Sequence, residues 1–285
     1  MLILIRGAGD LASGIALRLW RAGLRVVMTD LPQPTAIRRT VCFSQAIRLG
    51  EMTVEDVTAV RCETEAEVRA ALSADKIPVL PDPEGACRLW LRPDALVDAI
   101  LAKRNLGTRI SDAPVVIGVG PGFCAGRDCH AAIETMRGHT LGRVIRSGSP
   151  LPNTNIPGLI GGFAGERVLR ASDTGIFRQL REIGALVEAG ECVGTVNERP
   201  MCCTISGVLR GILPDGTPVT SAKVWREVRR PQIMALFAAH QHGRTPTRSL
   251  KPRYRIVDQN VDALGGLAKR TQVRISFTDE PDTPT

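Results

Sequence analysis

The chain has 285 residues, 44% hydrophobic and 23% charged, the composition of an ordinary globular protein large enough for two modest domains. No stretch holds 18 uninterrupted apolar residues, which excludes a transmembrane helix, and the apolar start MLILI, with no basic residue before it, predicts a first strand in a cytoplasmic protein and not a signal peptide. The net charge of +8 is concentrated in residues 222–257, where nine Lys or Arg meet one acid, and that run lacks the interleaved aromatics and motifs of a nucleic-acid face.

Residues 2–6, LILIR, end at a glycine. Residues 10–22 carry apolar side chains at helical spacing and stop at Gly23, and residues 25–29, RVVMT, read as a second strand. This is a βαβ unit. A turn follows Asp30. The spacing then predicts an acidic helix within 53–73, a strand over 76–81, a helix over 93–104 starting at Pro93, and a buried strand over 114–119. A further helix is expected from near Asp128 to Met136. Alternating strands and helices imply a parallel sheet. Past residue 150 the texture changes to short apolar runs parted by glycine, which predicts a small all-β domain over 151–224. The segment 225–285 is basic and irregular, with a possible helix at QIMALFAA and a disordered end at SFTDEPDTPT.

Two glycine loops stand out. In RGAGDLASG, residues 6–14, Gly7, Gly9 and Ala12 fit G-x-G-x-x-[G/A], with Ala8, Asp10 and Leu11 between them and Gly14 as a further small residue. Such a loop brings bare backbone and a helix N-terminus up to a phosphate. Asp30, 21 residues after Gly9, is placed to accept hydrogen bonds from an unphosphorylated ribose diol. Asp10 must turn away from a pyrophosphate or cap the helix. The second loop, GVGPGFCAGRDCHAAIET, carries Gly118, Gly120, Gly122 and Gly126 and is predicted to share the first loop's crevice at the carboxyl edge of the sheet. If a helix starts at Asp128, Cys129 sits in its first turn, where the dipole and Arg127 favour a thiolate. His130 and Glu134, four apart, then share a helix face, with His139 near. This trio is the candidate catalytic set, against the reading of Cys129 as a small buried side chain. The other cysteines are scattered, with no C-x-x-C and no zinc spacing.

Several long motifs occur together: RGAGDLASGIALRL, IRRTVCFSQAI, GVGPGFCAGRDCHAAIETMRGHTLGRVI, NTNIPGLIGG and RVLRASDTGIF. Over roughly residues 1 to 220 the chain resembles the selenium-dependent molybdenum hydroxylase accessory proteins, whose N-terminal part is similar to the Rossmann domain of xanthine dehydrogenase accessory proteins. The resemblance implies a Rossmann-like α/β domain (1–150) followed by a barrel-sandwich-hybrid-like β domain (151–224). It implies a maturation factor that works with a molybdenum hydroxylase apoenzyme or other maturation factors and binds a molybdenum cofactor dinucleotide. The block 183–223 also resembles a biotinyl/lipoyl domain, yet its turn reads NERPM, with no lysine to modify. The basic stretch after residue 224 departs from the family, as an insertion or a locally altered reading frame would. Two other readings fit the residues: an NAD-dependent oxidoreductase using the same loop and Asp30, and a docking module without chemistry.

Overall fold

The run LILIR folds as β1 (Leu2–Arg6), whose alternate side chains Ile3 and Ile5 face one buried layer while Leu4 faces the other. A strand covered on both faces must be apolar throughout, and each such Leu or Ile contributes about 1.5–3 kcal/mol by leaving water. The computed structural model describes residues 1–154, 156–171, 173–220, 230–237, 239, 253–263 and 266–276.

Helix α1 (Asp10–Arg21) buries Ala12, Ser13, Ala16 and Leu17 against the sheet and ends where Gly23 takes φ +77°, a turn that costs a glycine least. It leads to β2 (Arg25–Thr29), parallel to β1. The chain then forms α2 (Gln45–Leu49), β3 (Glu51–Val54), β4 (Val57–Arg61), α3 (Glu65–Ser73), β5 (Ile77–Leu80), α4 (Arg88–Leu91), β6 (Ala95–Asp98), β7 (Val115–Val119), β8 (Ala131–Ile133) and β9 (Val144–Ile145). These nine strands make one sheet in the order β3-β4-β5-β2-β1-β6-β7-β8-β9. Every pairing from β4 to β8 is parallel, and β3 and β9 close the two edges antiparallel. One core layer holds Ala12, Leu17, Phe43 and Ile47. The opposite layer holds Val68, Ala71, Cys87 and Phe123. The predicted Rossmann-like α/β fold with a small β domain behind it is what the chain adopts.

Three expected helices are corrected. The first part of 53–73 is the β3–β4 hairpin, turned at Glu55 with φ +55°, and only Glu65–Ser73 is helical. Val57 and Ala59 are both buried, a period of two that signals a strand. The helix begins at a reciprocal cap, Thr64 Oγ1 accepting from Glu67 N–H while the Glu67 carboxylate accepts from Thr64 N–H. The segment 93–104 is not a helix but β6 plus a loop. Its apolar run ALV is a strand buried between β1 and β7, and Leu101 and Lys103 then adopt left-handed φ of +59° and +62°. The stretch after Asp128 is strand β8, because pairing with β7 overrides the local helical pattern.

The β domain has a four-stranded sheet, β13-β12-β10-β15, and a two-stranded one, β11-β14. Its strands are β10 (Gly175–Gln179), β11 (Leu186–Val187), β12 (Cys192–Val196), β13 (Arg199–Cys202), β14 (Gly207–Val208) and β15 (Pro218–Val219). They enclose Phe177, Val187, Val193, Val196, Cys203 and Ile212. The NERPM stretch holds the β12–β13 turn, Asn197 and Glu198, both at positive φ as a two-residue hairpin demands, and then enters β13.

Contacts divide the chain into Met1–Val224 and Trp225–Thr285. Within the second unit are helix α5 (Arg230–Phe237) and the antiparallel pair β16 (Arg253–Ala263) and β17 (Ala268–Ser276). Most of the basic run 222–257 and the expected disordered end beyond Ser276 lie outside the described residues. Among the described residues no helix is long and apolar enough to cross a membrane.

Candidate functional site

From β1 the chain goes through α1 to β2 on one side, and later returns to place β6 on the other side of β1. The carboxyl ends of β1 and β6 therefore diverge at a topological switch point, where open α/β sheets bind ligands. A cleft of about 1250 Å³ opens there. Its walls include Gly7, Gly9, Asp10, Leu11 and Ala12, then Asp30 after β2, Ala99–Leu101 after β6, and Thr135, Arg137 and Leu141 after β8.

The first glycine loop is held from below. Gly7 N–H bonds to the Thr29 carbonyl at 2.8 Å. The Ala8 carbonyl accepts from Ser44 N–H at 2.9 Å and from Ser13 Oγ at 3.2 Å. Ala8 N–H donates to Asp30 Oδ2 at 2.9 Å, and Leu31 N–H to Asp30 Oδ1 at 2.7 Å. Asp30 thus braces the loop from the cleft wall, and burial raises its carboxyl pKa against these two bonds. Each oxygen keeps a second lone pair for another donor.

The two glycines of this loop differ. Gly7 has φ +98°, and a Cβ there would sit 2.9 Å from the Ala99 carbonyl oxygen. Gly9 has φ −69°, open to any residue, and a Cβ there would meet nothing within 4 Å. The fold requires Gly7; it does not require Gly9. The first bond of the α1 ladder runs from Ser13 N–H to the Gly9 carbonyl, so the N–H groups of Asp10, Leu11 and Ala12 precede the ladder. Asp10 is balanced by Arg38, whose Nη1 lies 2.8 Å from Asp10 Oδ2. Gly14 is exposed on α1 with open space beside it and does not line the cleft, so no close packing accounts for it.

The cleft floor carries a buried ionic group that sequence reasoning missed. Arg6 and Asp98 are 3% and 1% exposed. Arg6 Nη1 donates to Asp98 Oδ2 at 3.5 Å and to Thr108 Oγ1, and the Thr108 hydroxyl donates to Asp98 at 2.6 Å. Arg6 Nη2 donates to the Pro83 carbonyl at 3.0 Å, while Nε has no partner among the described residues. The only hint in the sequence is a charge closing each of the apolar runs LILIR and ALVD. Arg137, on the cleft wall, has no acidic partner among the described residues.

The second glycine loop does not open into the cleft. A Cβ on Gly118 would strike Phe123, and one on Gly122 would strike the Arg104 backbone at 2.5 Å. A Cβ on Gly120 would press on Thr135 Oγ1 and Leu101 Cδ2. These glycines admit neighbouring protein, chiefly the loop after β6, and leave no room for a phosphate. Gly126 is exposed and also lies off the cleft.

The candidate catalytic set is corrected with it. With no helix at Asp128, Cys129 has no dipole to activate it. It is fully buried, and burial raises its thiol pKa. His130 Nδ1 accepts from Val116 N–H at 2.9 Å, a structural bond. Glu134 is buried and accepts from Met136 N–H at 2.6 Å and Leu151 N–H at 2.8 Å. None of the three lines the cleft. Iodoacetamide near neutral pH is therefore expected to label Cys129 more slowly than Cys192 and Cys202; fastest labelling at Cys129 would restore it as a nucleophile.

Glu134 offers a pH test. Burial raises its pKa, but backbone donors from Leu151, Met136 and Thr135 outweigh that, so the net shift is downward. A lowered folded-state pKa stabilises above the ordinary Glu range, and the gain is lost as pH falls through the folded value. Glu134→Gln is expected to lower Tm at pH 7, with the gap to the parent closing as pH falls below the ordinary Glu value. A gap independent of pH would assign the loss to packing.

With this geometry in view, comparison with known proteins adds a relative. The chain is similar to the uncharacterized protein YqeB of Escherichia coli (strain K12). The two are 50% identical over 220 residues, 76% of this chain and 40% of YqeB. The chain thus matches less than half the length of that relative. A shorter stretch of 73 residues, 26% of this chain, is 40% identical to carbohydrate esterase MZ0003 from an unknown prokaryotic organism and covers 17% of it. No family model and no solved structure matches.

Proposed function

We propose that the chain binds a nucleotide-bearing ligand in the cleft at the β1–β6 switch point. The observation that carries this reading is Gly9. Its missing side chain serves no packing purpose, yet it leaves backbone bare toward the cleft at the N-terminus of α1. A pyrophosphate would take the N–H groups of Asp10, Leu11 and Ala12, favoured by the helix dipole. The free lone pairs of Asp30 would take a ribose diol. Arg137, which lines the cleft and has no acidic partner among the described residues, would meet a further anionic group of the ligand.

The sequence resemblance extends this to a molybdenum cofactor dinucleotide, with the chain serving maturation of a selenium-dependent molybdenum hydroxylase. The cleft volume is ample for a dinucleotide. On this reading the chain binds and delivers; Cys129, His130 and Glu134 are not asked to react. Esterase activity is not carried over from MZ0003, because the shared stretch covers only 17% of that protein.

The test is ligand-induced thermal stabilisation with NAD, NADP, ATP, CTP and a molybdenum cofactor dinucleotide in turn. Stabilisation by the pterin dinucleotide above the others supports the maturation reading. A response to NAD alone would replace it with a nicotinamide enzyme. No response to any of them would leave a scaffold acting through a protein partner.

A further inference from the structure

Strands β12 and β13 place Cys192 directly opposite Cys202. Directly opposed residues of an antiparallel pair point to the same face. The register shifts between Cys192 and Gly194, so the pair lies just beyond an irregularity in the ladder; in a regular antiparallel ladder opposed Cα atoms are about 4.5 or 5.5 Å apart, within the roughly 4.4–6.8 Å that a disulfide spans. The neighbours sort the two faces of the hairpin. Val193 and Cys203 are buried in the β-domain core, so Cys192 and Cys202 point away from it, and both are partly accessible. A cysteine on that side is not filling a core. The neighbouring Cys192 thiol, ahead of burial, holds the Cys202 thiol in its protonated form to higher pH.

The other cysteines lack these properties. Cys42, Cys62, Cys87, Cys129 and Cys203 are buried. Burial pushes the thiols of Cys42 and Cys87 up to about 12 and that of Cys62 up to about 11. Cys124 is half-buried, but its nearby cysteine is the wholly buried Cys129.

We propose that Cys192 and Cys202 form a reversible dithiol–disulfide modification site, oxidised by exchange with a small-molecule disulfide of the glutathione type. One thiolate attacks a sulfur of the small disulfide, forming a mixed disulfide and releasing one small thiolate. The second protein thiolate attacks the mixed disulfide at the protein sulfur, closing the Cys192–Cys202 bond and releasing the other small thiolate. The protein loses two electrons and two protons; the small disulfide gains the electrons and its two thiolates take up the protons. The bond closes on the outer face of the hairpin and leaves the Val193–Cys203 side in place. Neither residue lines the cleft, so the reaction is independent of any ligand there.

The full reduced chain, incubated with glutathione disulfide, quenched with N-ethylmaleimide and cut after glutamate, tests this by mass spectrometry. Cleavage after Glu198 puts the two cysteines on separate peptides. The expected product is a Cys192–Cys202 linked peptide, two hydrogens lighter than its reduced parts, appearing before any other cysteine pair and reversed by dithiothreitol. Cys192→Ser is expected to halt the reaction at a glutathione adduct on Cys202. Absence of the linked peptide in the parent chain, with both residues free or each carrying glutathione, would overturn the proposal. So would earlier closure of a different pair.

Discussion

Gly9→Val is expected to abolish stabilisation by the nucleotide ligand while costing the free protein little. Its backbone angles suit any residue and its surroundings are open, so the valine side chain enters the cleft and not the core. The cost to folding is that of a poor N-cap, about 1 kcal/mol. The cost to binding is large, because two methyl groups occupy the approach to the α1 N-terminus. A ligand at a hundredfold over its Kd stabilises the parent by about 2.7 kcal/mol. At about 2–4 °C per kcal/mol for a protein of this size, that is a shift of roughly 5–11 °C, which the variant should lose. Gly7→Ala is the control with the opposite signature. Positive φ and the Ala99 carbonyl at 2.9 Å make even one methyl costly, and strain of this kind amounts to about 1–3 kcal/mol without any ligand present. A Gly9→Val protein that still responds fully to ligand would move the phosphate site elsewhere.

The second large effect concerns the cleft floor. Asp98→Ala leaves Arg6 charged and buried, and removes acceptors from Thr108 and from Ile100 N–H. Stranding one member of a buried pair costs about 3–5 kcal/mol, a large part of the roughly 5–15 kcal/mol that stabilises a typical domain. By the same conversion Tm should fall by roughly 6–20 °C. The double variant Arg6→Met/Asp98→Leu, which removes both charges, is expected to recover much of the loss. If the single and double variants melt together, the pair contributes nothing specific and the loss belongs to packing alone.

The β1–α1–β2 unit was legible because its signals are local. The glycines, the helical spacing and the acid after β2 fall within thirty residues, and the structure places Gly7, Gly9 to Ala12 and Asp30 on one cleft, with Ala8 buried behind it. Asp30 also braces Ala8, a use that its spacing from Gly9 does not reveal. The second glycine loop misled for a physical reason. A glycine that admits a phosphate and a glycine that admits a neighbouring chain look alike in sequence, and Gly120 and Gly122 are of the second kind. The misread helix at 93–104 has a related cause: a short strand buried on both faces has no period of two, so ALV reads as either element until its partners β1 and β7 are known. The reactive cysteine expected at position 129 failed with its helix. The pair at 192 and 202 was invisible, since opposition across a hairpin depends on register and turn length.

One connection between the two halves of the first unit has a further consequence. The segment after β2 gives Ala36, Ile37 and Arg38 to the cleft wall. The Ile37 carbonyl also accepts from Ile212 N–H at 2.9 Å, and Arg39 reaches the Ile212 carbonyl at 3.0 Å and Gln179 Oε1 at 2.8 Å. The small β domain therefore acts as a buttress, holding from outside a wall whose inner side faces the cleft. A chain cut at residue 150 is expected to melt at a lower temperature than residues 1–224, which thermal unfolding of the two would check. The cut would remove the bonds that Ile37 and Arg39 make to Ile212 and Gln179 from behind the cleft wall.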